Sequence, residues 1–416
     1  MLAGSRRIFE TTTPATNRLA ATGASMHFAP VLLLFSLVQA AALALLLVRL
    51  WPGRRRLPPV APLDAAHARG AVTIVVATLN EALRIEPCLE GLIAQGPVVR
   101  EILIVDSGSL DGTTTLVEAA MLRDPRMRLL RDEPLPAGWV GKVWALQHAL
   151  HHASSDWILG LDADTAPHAG LAGGALAAAE THRYDAVSFA PRFRLSTTAE
   201  RWLQPALLVT LVYRFGAAGT NADGERVMAN GQCFLARRRT LLAAGGYTSA
   251  RASFCDDVTL ARHLARAGHR VGFLNGSRLY DVRSYTSARE AWREWGRSLD
   301  LKDATSAMRQ WADVLFLAVV QGTPVPVLLA LGLAAALRPM GQAAGAVPLF
   351  VTSVSLLAVR VLLQRALAPS YERRGVAFWL SPLADPLAAL RILLSSLRRP
   401  TQWRGREYGH KHVLSS

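Results

Sequence analysis

The sequence predicts an α/β domain that is flanked by transmembrane helices. Between residues 70 and 300, short apolar strands alternate with helical stretches, which is typical of a largely parallel sheet. Near both ends of the 416-residue chain, apolar runs are long enough to cross a bilayer core of about 30 Å. Hydrophobic residues make up 51% of the chain and charged residues only 19%, a balance that favours a membrane protein.

The net charge of +15 comes almost entirely from arginine, since only Lys142, Lys302 and Lys411 are lysines. A nucleic-acid-binding protein would gather such charge on one face together with aromatic side chains. Here the arginines instead flank the apolar runs, as at 54–56 and 398–399. This arrangement predicts that the partner is a bilayer with anionic headgroups and not a nucleic acid.

The chain is expected to begin with a polar arm at 1–27 and an uncleaved membrane anchor at 28–50. A cleaved signal peptide is the alternative, but its apolar region usually runs only ~7–15 residues before a small-residue cleavage site. Here Trp51 and three arginines follow the apolar run, and Met26 is an alternative start to Met1. By the positive-inside rule, these arginines place the following domain in the cytoplasm. Three cysteines without metal-ligand spacing fit that reducing compartment.

A proline-rich linker at 51–70 leads to the predicted catalytic domain at 71–285. Strands are expected at 72–78, 101–105, 127–130 and 157–161, and helices at 82–94, 113–122 and 142–152. Polar or acidic clusters fall where strands end, which is where open α/β sheets bind ligands.

Two stretches mix tryptophan, leucine and arginine, as helices that lie in a membrane interface do. They are residues 199–215 and the segment 286–312, which holds Trp292, Trp295 and Trp311. An ordinary packed surface helix is the alternative for both.

A membrane domain is expected at 313–398, with spans at 314–337 and 344–363. A full fourth span at 376–397 would place the basic tail, residues 399–416, outside the cell, against the positive-inside rule. We therefore interpret 376–397 as a re-entrant or interfacial segment.

Three acidic clusters carry the candidate chemistry. In the first, Asp106 ends the second predicted strand, and its carboxylate suits a uracil N–H or ribose hydroxyls. The alternative is that Asp106 and Asp111 only cap the turn into the helix that begins at Thr113.

The second cluster, Asp162-Ala163-Asp164, follows an apolar strand. At a strand-to-loop turn the two carboxylates can converge on one hard divalent cation, Mg²⁺ or Mn²⁺, which takes carboxylate and phosphate oxygens together. Such a cation offsets the charge that grows on a departing diphosphate. The alternative is a solvated surface turn.

The third cluster, Asp256-Asp257, precedes a helical run, and Asp257 is the candidate general base. Proton transfer of this kind contributes ~10²–10⁴-fold to a rate. The alternative is a helix N-cap pair. Lys142, at a glycine-preceded helix start, suits contact with a phosphate.

The order and separation of these clusters resemble those of family 2 glycosyltransferases over roughly residues 70–300. The resemblance implies a GT-A fold, a Rossmann-like mixed sheet that binds a nucleotide sugar. It also implies the following roles: Thr78, Asn80, Glu81, Asp106, Lys142 and Asp162 hold the nucleotide sugar, Asp162 and Asp164 hold the metal, and Asp257 is the catalytic base. The family usually has Glu-Asp at the third cluster, and Asp256 stands here in place of the Glu.

Three strings resemble the lipid-modifying branch of that family, which includes hopanoid-associated, carotenoid and, more distantly, ceramide glycosyltransferases. They are residues 138–145, Asn230-Gly231-Gln232 and residues 403–408. The resemblance places Asn230, Gly231, Gln232 and Asp256 on the acceptor side. The likeness is weaker at 292–298, where Arg297 is expected to hold the leaving diphosphate but the tryptophan that relatives carry after this arginine is absent. This departure counts against processive polysaccharide synthesis.

The sequence therefore predicts a bacterial, multi-pass enzyme of the inner membrane with a cytoplasmic catalytic domain. It would be an inverting glycosyltransferase that moves one sugar from a UDP-sugar to a hydroxyl of a lipid acceptor. A polysaccharide synthase, a nucleotidyltransferase and a non-catalytic membrane scaffold are the alternatives. The sequence 77–81 lacks the Gly-rich, Arg-bearing phosphate loop of nucleotidyltransferases. All three acidic clusters lie outside the predicted spans, unlike the polar groups of transporters.

Overall fold

The computed structural model describes residues 16–220, 224–283, 289–290, 292–293, 301–302, 304–337, 345–397, 402–403 and 406–407. Arg297, Trp295, the first part of the polar arm and most of the basic tail lie outside the described residues. The predicted helix at 286–312 is described only in part.

The central sheet has seven strands, and a smaller sheet of three strands packs beside it. The strands are β1 (Val72–Thr78), β2 (Val99–Asp106), β3 (Met127–Arg131), β4 (Trp157–Asp162), β5 (Thr165–Pro167), β6 (Ala186–Ala190), β7 (Arg192–Arg194), β8 (Cys233–Arg237), β9 (Val271–Asn275) and β10 (Tyr280–Arg283), with a tail pair β11 (Gln402–Trp403) and β12 (Arg406–Glu407). The central order is β3-β2-β1-β4-β8-β6-β9, and the small sheet runs β5-β10-β7. Only β8 runs against its neighbours in the central sheet. The predicted mixed α/β sheet is confirmed.

The four predicted strands are all present, and none departs from its expected bounds by more than two residues. The helices are α1 (Thr16–Leu50), α2 (Glu86–Ile93), α3 (Thr113–Met121), α4 (Gly141–His152), α5 (Leu171–Thr181), α6 (Thr198–Phe215), α7 (Arg238–Ala243), α8 (Asp256–Arg266), α9 (Ala307–Leu317), α10 (Pro324–Leu337), α11 (Ala346–Leu367), α12 (Val376–Trp379) and α13 (Asp385–Leu397).

The helix predicted at 82–94 begins four residues later than expected, at Glu86. The backbone N–H of Ala82 donates to the Asp111 carboxylate, so this residue serves the loop between β1 and α2. A proline in the first turn of α2 then favours a helix start at this point.

The sheet separates two apolar layers because side chains alternate along each strand. Ile74 and Val76 of β1 pack on one face with α2, α3 and α5. Val75 packs on the other face with α4 and α8. The carboxyl ends of β1, β2 and β4 therefore meet at one edge, between helix layers that fix the sheet on both sides.

Among the residues that the structure describes, two helical segments are long and apolar enough to cross a membrane, Ala29–Arg55 and Ala346–Ser370. A third candidate is the pair α9 and α10, which is bent by 40° where a π-helical turn joins them. The predicted span at 314–337 is thus broken, and Pro324 at the start of α10 explains the break since proline cannot continue a helix from the preceding turn. Within the described residues, 376–397 does not pass as a span and folds as short helices.

The amphipathic segment at 199–215 forms α6, whose first turn is closed by a capping box between Thr197 and Glu200. Leu203, Leu207 and Tyr213 are buried in one apolar cluster with side chains of α1, α9 and α13. The prediction that this helix spreads its apolar face on a membrane interface is therefore corrected: that face is covered by other helices of the chain.

The linker at 51–70 is attached along the catalytic domain. Leu57 N–H donates to Gly219 O at 2.9 Å, and Leu63 N–H donates to Gly170 O at 3.0 Å. A Cβ at Gly173 would lie 2.0 Å from Leu63 O, so only glycine lets α5 approach the linker so closely. These contacts set the end of α1 against the α/β domain.

Candidate active site

A cavity of about 340 Å³ opens beside the carboxyl end of β4. Its charged wall brings together predicted residues from three separate parts of the sequence: Lys142, Asp162, Asp164, Asp256 and Asp257. β4 and the turn into β5 supply the first two aspartates, the start of α8 supplies the other two, and the start of α4 supplies the lysine. The second and third acidic clusters therefore share one site.

Lys142 forms an ion pair with Asp162, with Nζ and Oδ1 2.7 Å apart. Burial by itself lowers the pKa of Lys142, but the negative charges of Asp162 and Asp256 outweigh it and raise the pKa above its usual value. The lysine is thus a fixed positive charge among four carboxylates.

Asp257 is held by two backbone donors. Its Oδ2 accepts from Gly231 N–H at 2.6 Å, and its Oδ1 accepts from Val258 N–H at 2.8 Å. Burial, followed by the charge of Asp256, raises the pKa of Asp257 above the ordinary aspartate range. A carboxylate with a raised pKa and a fixed position suits general-base chemistry near neutral pH.

The residues at 230–232, which were predicted to lie on the acceptor side, form a tight loop before β8. Asn230 Nδ2 donates to Gln232 Oε1 at 3.0 Å, and Gln232 N–H donates to Asn230 Oδ1 at 3.1 Å. Asp162 N–H donates to Gln232 O at 3.3 Å, which links this loop to the end of β4. Asn230, Gly231 and Gln232 all line the cavity, and their bonds fix Gly231 between Lys142 and Asp257.

We expect Gly231→Ala to lower kcat by roughly tenfold, because a misplacement of about 1 Å at a reacting centre costs about 10²-fold and the added methyl group requires a smaller one. A Cβ at Gly231 would lie 3.1 Å from Lys142 Nζ, so the lysine must give way by a few tenths of an ångström, and it would lie 3.4 Å from Asp257 Cβ, at the limit of ordinary contact. Turnover and the thermal midpoint of the variant should be measured beside Gly332→Ala, whose added methyl group meets no atom within 4 Å. Equal turnover in both variants would contradict the crowding argument.

The first cluster lies at the ends of β1 and β2, and its predicted residues Thr78, Asn80, Glu81 and Asp106 are not among those that line the cavity. The side chains and backbone of these residues join the loop after β1 to the loop after β2. Asn80 Oδ1 accepts from Leu110 N–H at 2.9 Å, and Glu81 N–H donates to Thr113 Oγ1 at 2.8 Å.

Asp106 and Asp111 have different partners in these loops. Asp106 accepts from Thr78 Oγ1 at 3.2 Å and from Ser109 N–H at 3.0 Å, and neither donor belongs to the following helix. Asp111 Oδ1 accepts from the N–H of Thr113, the first residue of α3, at 3.1 Å. The capping alternative therefore describes Asp111, while contact between Asp106 and a nucleotide stays a prediction.

An apolar wall faces the carboxylates, and the sequence alone does not assign it to the site. Leu208, Leu211, Val212 and Phe215 of α6 line the cavity at positions i, i+3, i+4 and i+7, which is one helix face. Leu367, the last residue of α11, also lines it. The helical spacing is readable in the sequence, but there it predicts a membrane-facing stripe.

Arg84 is another cavity residue that sequence reasoning missed. Its Nη2 lies 2.9 Å from Glu290 Oε1, so the loop after β1 is joined to the segment that follows the catalytic domain. A lone arginine in a loop carries no sequence signal for such a position.

The described residues contain no group of three or more His, Cys, Asp or Glu side chains that would hold a metal ion by themselves. Asp162 and Asp164 are two carboxylates in one cavity. This donor set fits a hard divalent cation that takes its remaining ligands from phosphate oxygens and water.

Residues 73–246 match the family model described as glycosyl transferase family 2. A mannosyltransferase from Pyrobaculum calidifontis, solved with GDP-Man and Mn²⁺, is 22% identical, with a TM-score of 0.50 over 79% of this chain and 98% of that chain. A glucosyl-3-phosphoglycerate synthase from Mycobacterium tuberculosis, solved with Mn²⁺, UDP and glucosyl-3-phosphoglycerate, is 20% identical, with a TM-score of 0.39 over 57% of this chain and 80% of that chain. None of the curated proteins matches the sequence.

The likeness to the mannosyltransferase shows a GT-A-like fold. The match over 73–246 covers β1, the strand ends with the first two acidic clusters, and the loop before β8. The non-catalytic scaffold and the nucleotidyltransferase are thereby set aside. The chain contains a family 2 glycosyltransferase domain and is a nucleotide-sugar glycosyltransferase that carries two or three candidate membrane helices.

Proposed function

We propose that this enzyme transfers one sugar from a UDP-sugar to a hydroxyl of a lipid-like acceptor, such as a hopanoid, a carotenoid or a glycolipid, with inversion at the anomeric carbon. One observation carries the proposal: a single cavity joins the carboxylate cluster to an apolar wall made by α6 and the end of the candidate span α11. A polar acceptor would not need such a wall. A lipid could enter beside α11 and bring its hydroxyl to Asp257.

In the proposed reaction, the hydroxyl oxygen of the acceptor attacks the anomeric carbon of the sugar. The Asp257 carboxylate accepts the proton of that hydroxyl. The bond from that carbon to the diphosphate oxygen breaks, and its electron pair leaves with UDP. The configuration inverts because attack and departure take place on opposite faces. Gly231 N–H, which donates to Asp257 Oδ2 at 2.6 Å, keeps the base aimed at the cavity.

The donor would be held by Thr78, Asn80, Glu81 and Asp106 at the nucleotide end and by Lys142 at the diphosphate, with Arg297 as a further cation on the leaving group. Asp162 and Asp164 would hold Mg²⁺ or Mn²⁺, which offsets charge on the diphosphate when bound. The mannosyltransferase from Pyrobaculum calidifontis was solved in complex with Mn²⁺, which supports this choice of cation class.

The same proposal places the catalytic domain at the cytoplasmic face of the inner membrane. The support is the run of arginines at 54–56, at the end of the segment Ala29–Arg55 that is apolar enough to cross a bilayer. Nucleotide sugars would then reach the cavity from the cytoplasm, and the lipid would reach it from the bilayer.

The test is transfer of labelled sugar by the purified full chain in vesicles made from a bacterial lipid extract. Several UDP-sugars and GDP-Man are offered in parallel, with EDTA, and with EDTA followed by excess Mg²⁺ or Mn²⁺. We expect label in the organic-extractable fraction from a UDP-sugar, loss of label with EDTA, and recovery with the cation. Label only in a water-soluble polymer would favour the polysaccharide alternative, and label only from GDP-Man would overturn the choice of donor.

A further inference from the structure

A second cleft, separate from the active-site cavity, lies where α1 leaves the candidate membrane span. It has a volume of about 990 Å³, and the residues that line it include Trp51, Arg54, Arg55, Arg183 and Arg270. Four of these residues are arginines, and none is an aspartate or a glutamate. None of them lines the catalytic cavity.

Four segments far apart in the sequence build this cleft: the turn after α1, the end of α5, the loop after α6 and the residue before β9. They are joined by backbone hydrogen bonds. Leu57 N–H donates to Gly219 O at 2.9 Å, and Gly219 N–H donates to Phe273 O at 2.7 Å. The cleft is therefore a fixed part of the fold and is not a chance meeting of exposed side chains.

The four arginines keep their charge available. Within the part of the chain that the structure describes, none of them forms an ion pair with a carboxylate. Asp185 accepts from the backbone N–H of Arg270 at 3.0 Å, while its carboxylate lies 3.8 Å from Arg237 Nε, and Asp185 does not line the cleft. Arg54 instead stacks on the Trp51 ring, with its Cζ 4.2 Å from the ring centroid.

Arg183 has a strained backbone conformation. It has φ 56°, in the left-handed region, directly after the end of α5, where glycine is the usual residue. Its N–H donates to Glu180 O, and the next N–H, of Tyr184, donates to Ala179 O, as in a helix-ending motif that glycine would serve without strain. Non-glycine residues that are held in such a strained conformation cluster at functional sites, including sites that clamp a ligand.

The position of the cleft beside the candidate span indicates the class of ligand that it binds. The candidate span runs from Ala29 to Arg55, so Trp51 and the cleft lie at the level of the lipid headgroups. Clustered arginines at this level attract phosphate-bearing lipids of the anionic leaflet. We propose that this cleft binds the headgroup of an anionic phospholipid and so fixes the catalytic domain against the membrane.

The test is lipid retention by the purified full chain in native mass spectrometry, with phosphatidylglycerol or phosphatidylcholine added to the detergent. We expect retention of phosphatidylglycerol in preference to phosphatidylcholine. The double variant Arg183→Gln/Arg270→Gln should retain it roughly thirtyfold less tightly, as two arginines near an anionic surface would give. Arg54 and Arg55 are left unchanged because they also orient the anchor.

The matched control is Arg239→Gln/Arg266→Gln, which removes the same charge from exposed positions outside both cavities. Equal retention by the two double variants, or equal retention of the two lipids, would overturn the proposal. Displacement of phosphatidylglycerol by inorganic phosphate, but not by sodium chloride of equal ionic strength, would show a site for soluble phosphate and would overturn the choice of a lipid.

Arg183→Gly separates the role of the side chain from that of the fold. It removes one charge and relieves the left-handed strain at the same position. We expect its thermal midpoint to be unchanged or higher while phosphatidylglycerol retention falls. Undiminished retention in this variant would show that Arg183 does not contact the headgroup.

Discussion

Asp257→Asn is expected to lower kcat by about 10²–10⁴-fold while the affinity for the nucleotide sugar stays close to that of the wild type. The amide is nearly the same size, and its oxygen can accept from one of the two backbone donors of the wild type, Gly231 N–H at 2.6 Å or Val258 N–H at 2.8 Å, while its NH2 group faces the other. It cannot accept the acceptor proton, so the loss should equal the contribution of a positioned general base. Initial rates over a range of donor concentrations and the binding of UDP to each variant are the measurements.

The pH profile gives a second readout of the same base. Because burial and Asp256 raise the pKa of Asp257, the active, deprotonated form is lost as pH falls through a value above the ordinary range for aspartate. The acid limb of kcat/KM should therefore lie above that range in the wild type and should be missing from the residual rate of the variant. Asp156→Asn, at an exposed position ahead of β4, is the matched control. A rate within tenfold of wild type would exclude Asp257 as the base.

Four of the seven central strands, β1 to β4, could be predicted from the sequence because each is a largely apolar run that ends in a polar cluster, whereas β6, β8 and β9 were not predicted. β1 has the predicted bounds, and β4 ends at Asp162, one residue beyond its predicted end. Strand ends of a parallel sheet share one edge, so the pattern was enough to expect the acidic clusters after β2 and β4 at the same edge. The helix at 82–94 was wrong at its start because a hydrogen bond from Ala82 to Asp111, 29 residues away, decides that loop.

Contacts between distant segments could not be predicted in the same way. Lys142 was expected to contact a phosphate, and no pattern in the sequence indicates that its Nζ lies 2.7 Å from the Asp162 carboxylate. The hydrogen bond from Gly231 N–H to the Asp257 carboxylate joins residues 26 apart in the sequence, and it depends on how β8 lies against α8. Such pairs are set by the packing of whole elements, which no local pattern encodes.

The role of α6 shows the same limit at a larger scale. The helical period of its apolar residues can be recognised in the sequence, but that period does not show what covers the apolar face. Either a membrane or a neighbouring helix could cover the side chains of Leu203 and Leu207. Only the packed structure shows that other helices do so. Since α6 also lines the cavity, its partners decide the shape of the acceptor side.

One buried charge cluster joins α6 to the membrane helices. Asp313 of α9 is 1% exposed, and its two oxygens meet two arginines. Oδ1 lies 3.1 Å from Arg49 Nη1 at the end of α1, and Oδ2 lies 3.3 Å from Arg214 Nε in α6. Arg214 is equally buried. This cluster connects the anchor, the apolar wall of the cavity and the broken span through a single carboxylate.

We expect Asp313→Asn to destabilise the folded chain by about 3–5 kcal/mol, because it leaves two arginines near each other without the buried opposite charge. The measurement is the thermal unfolding midpoint of the full chain in detergent. Glu90→Gln is the control, since it removes a carboxylate from an ion pair with Arg123 in which both side chains are more than half exposed. Pairs of that kind contribute only about 0–1 kcal/mol.

A further variant, Arg49→Met/Arg214→Met/Asp313→Leu, tests the cause of the loss. Replacing a whole buried ion cluster by apolar side chains is often neutral or stabilising, whereas removing one partner is costly. The triple variant should therefore recover much of the stability that Asp313→Asn loses, although it changes three residues instead of one. If both variants are equally unstable, packing around α9 and not charge holds α6 in place. If Asp313→Asn is as stable as Glu90→Gln, the cluster does not join the anchor to the catalytic domain, and the apolar wall of the cavity must be held by the surrounding leucines alone.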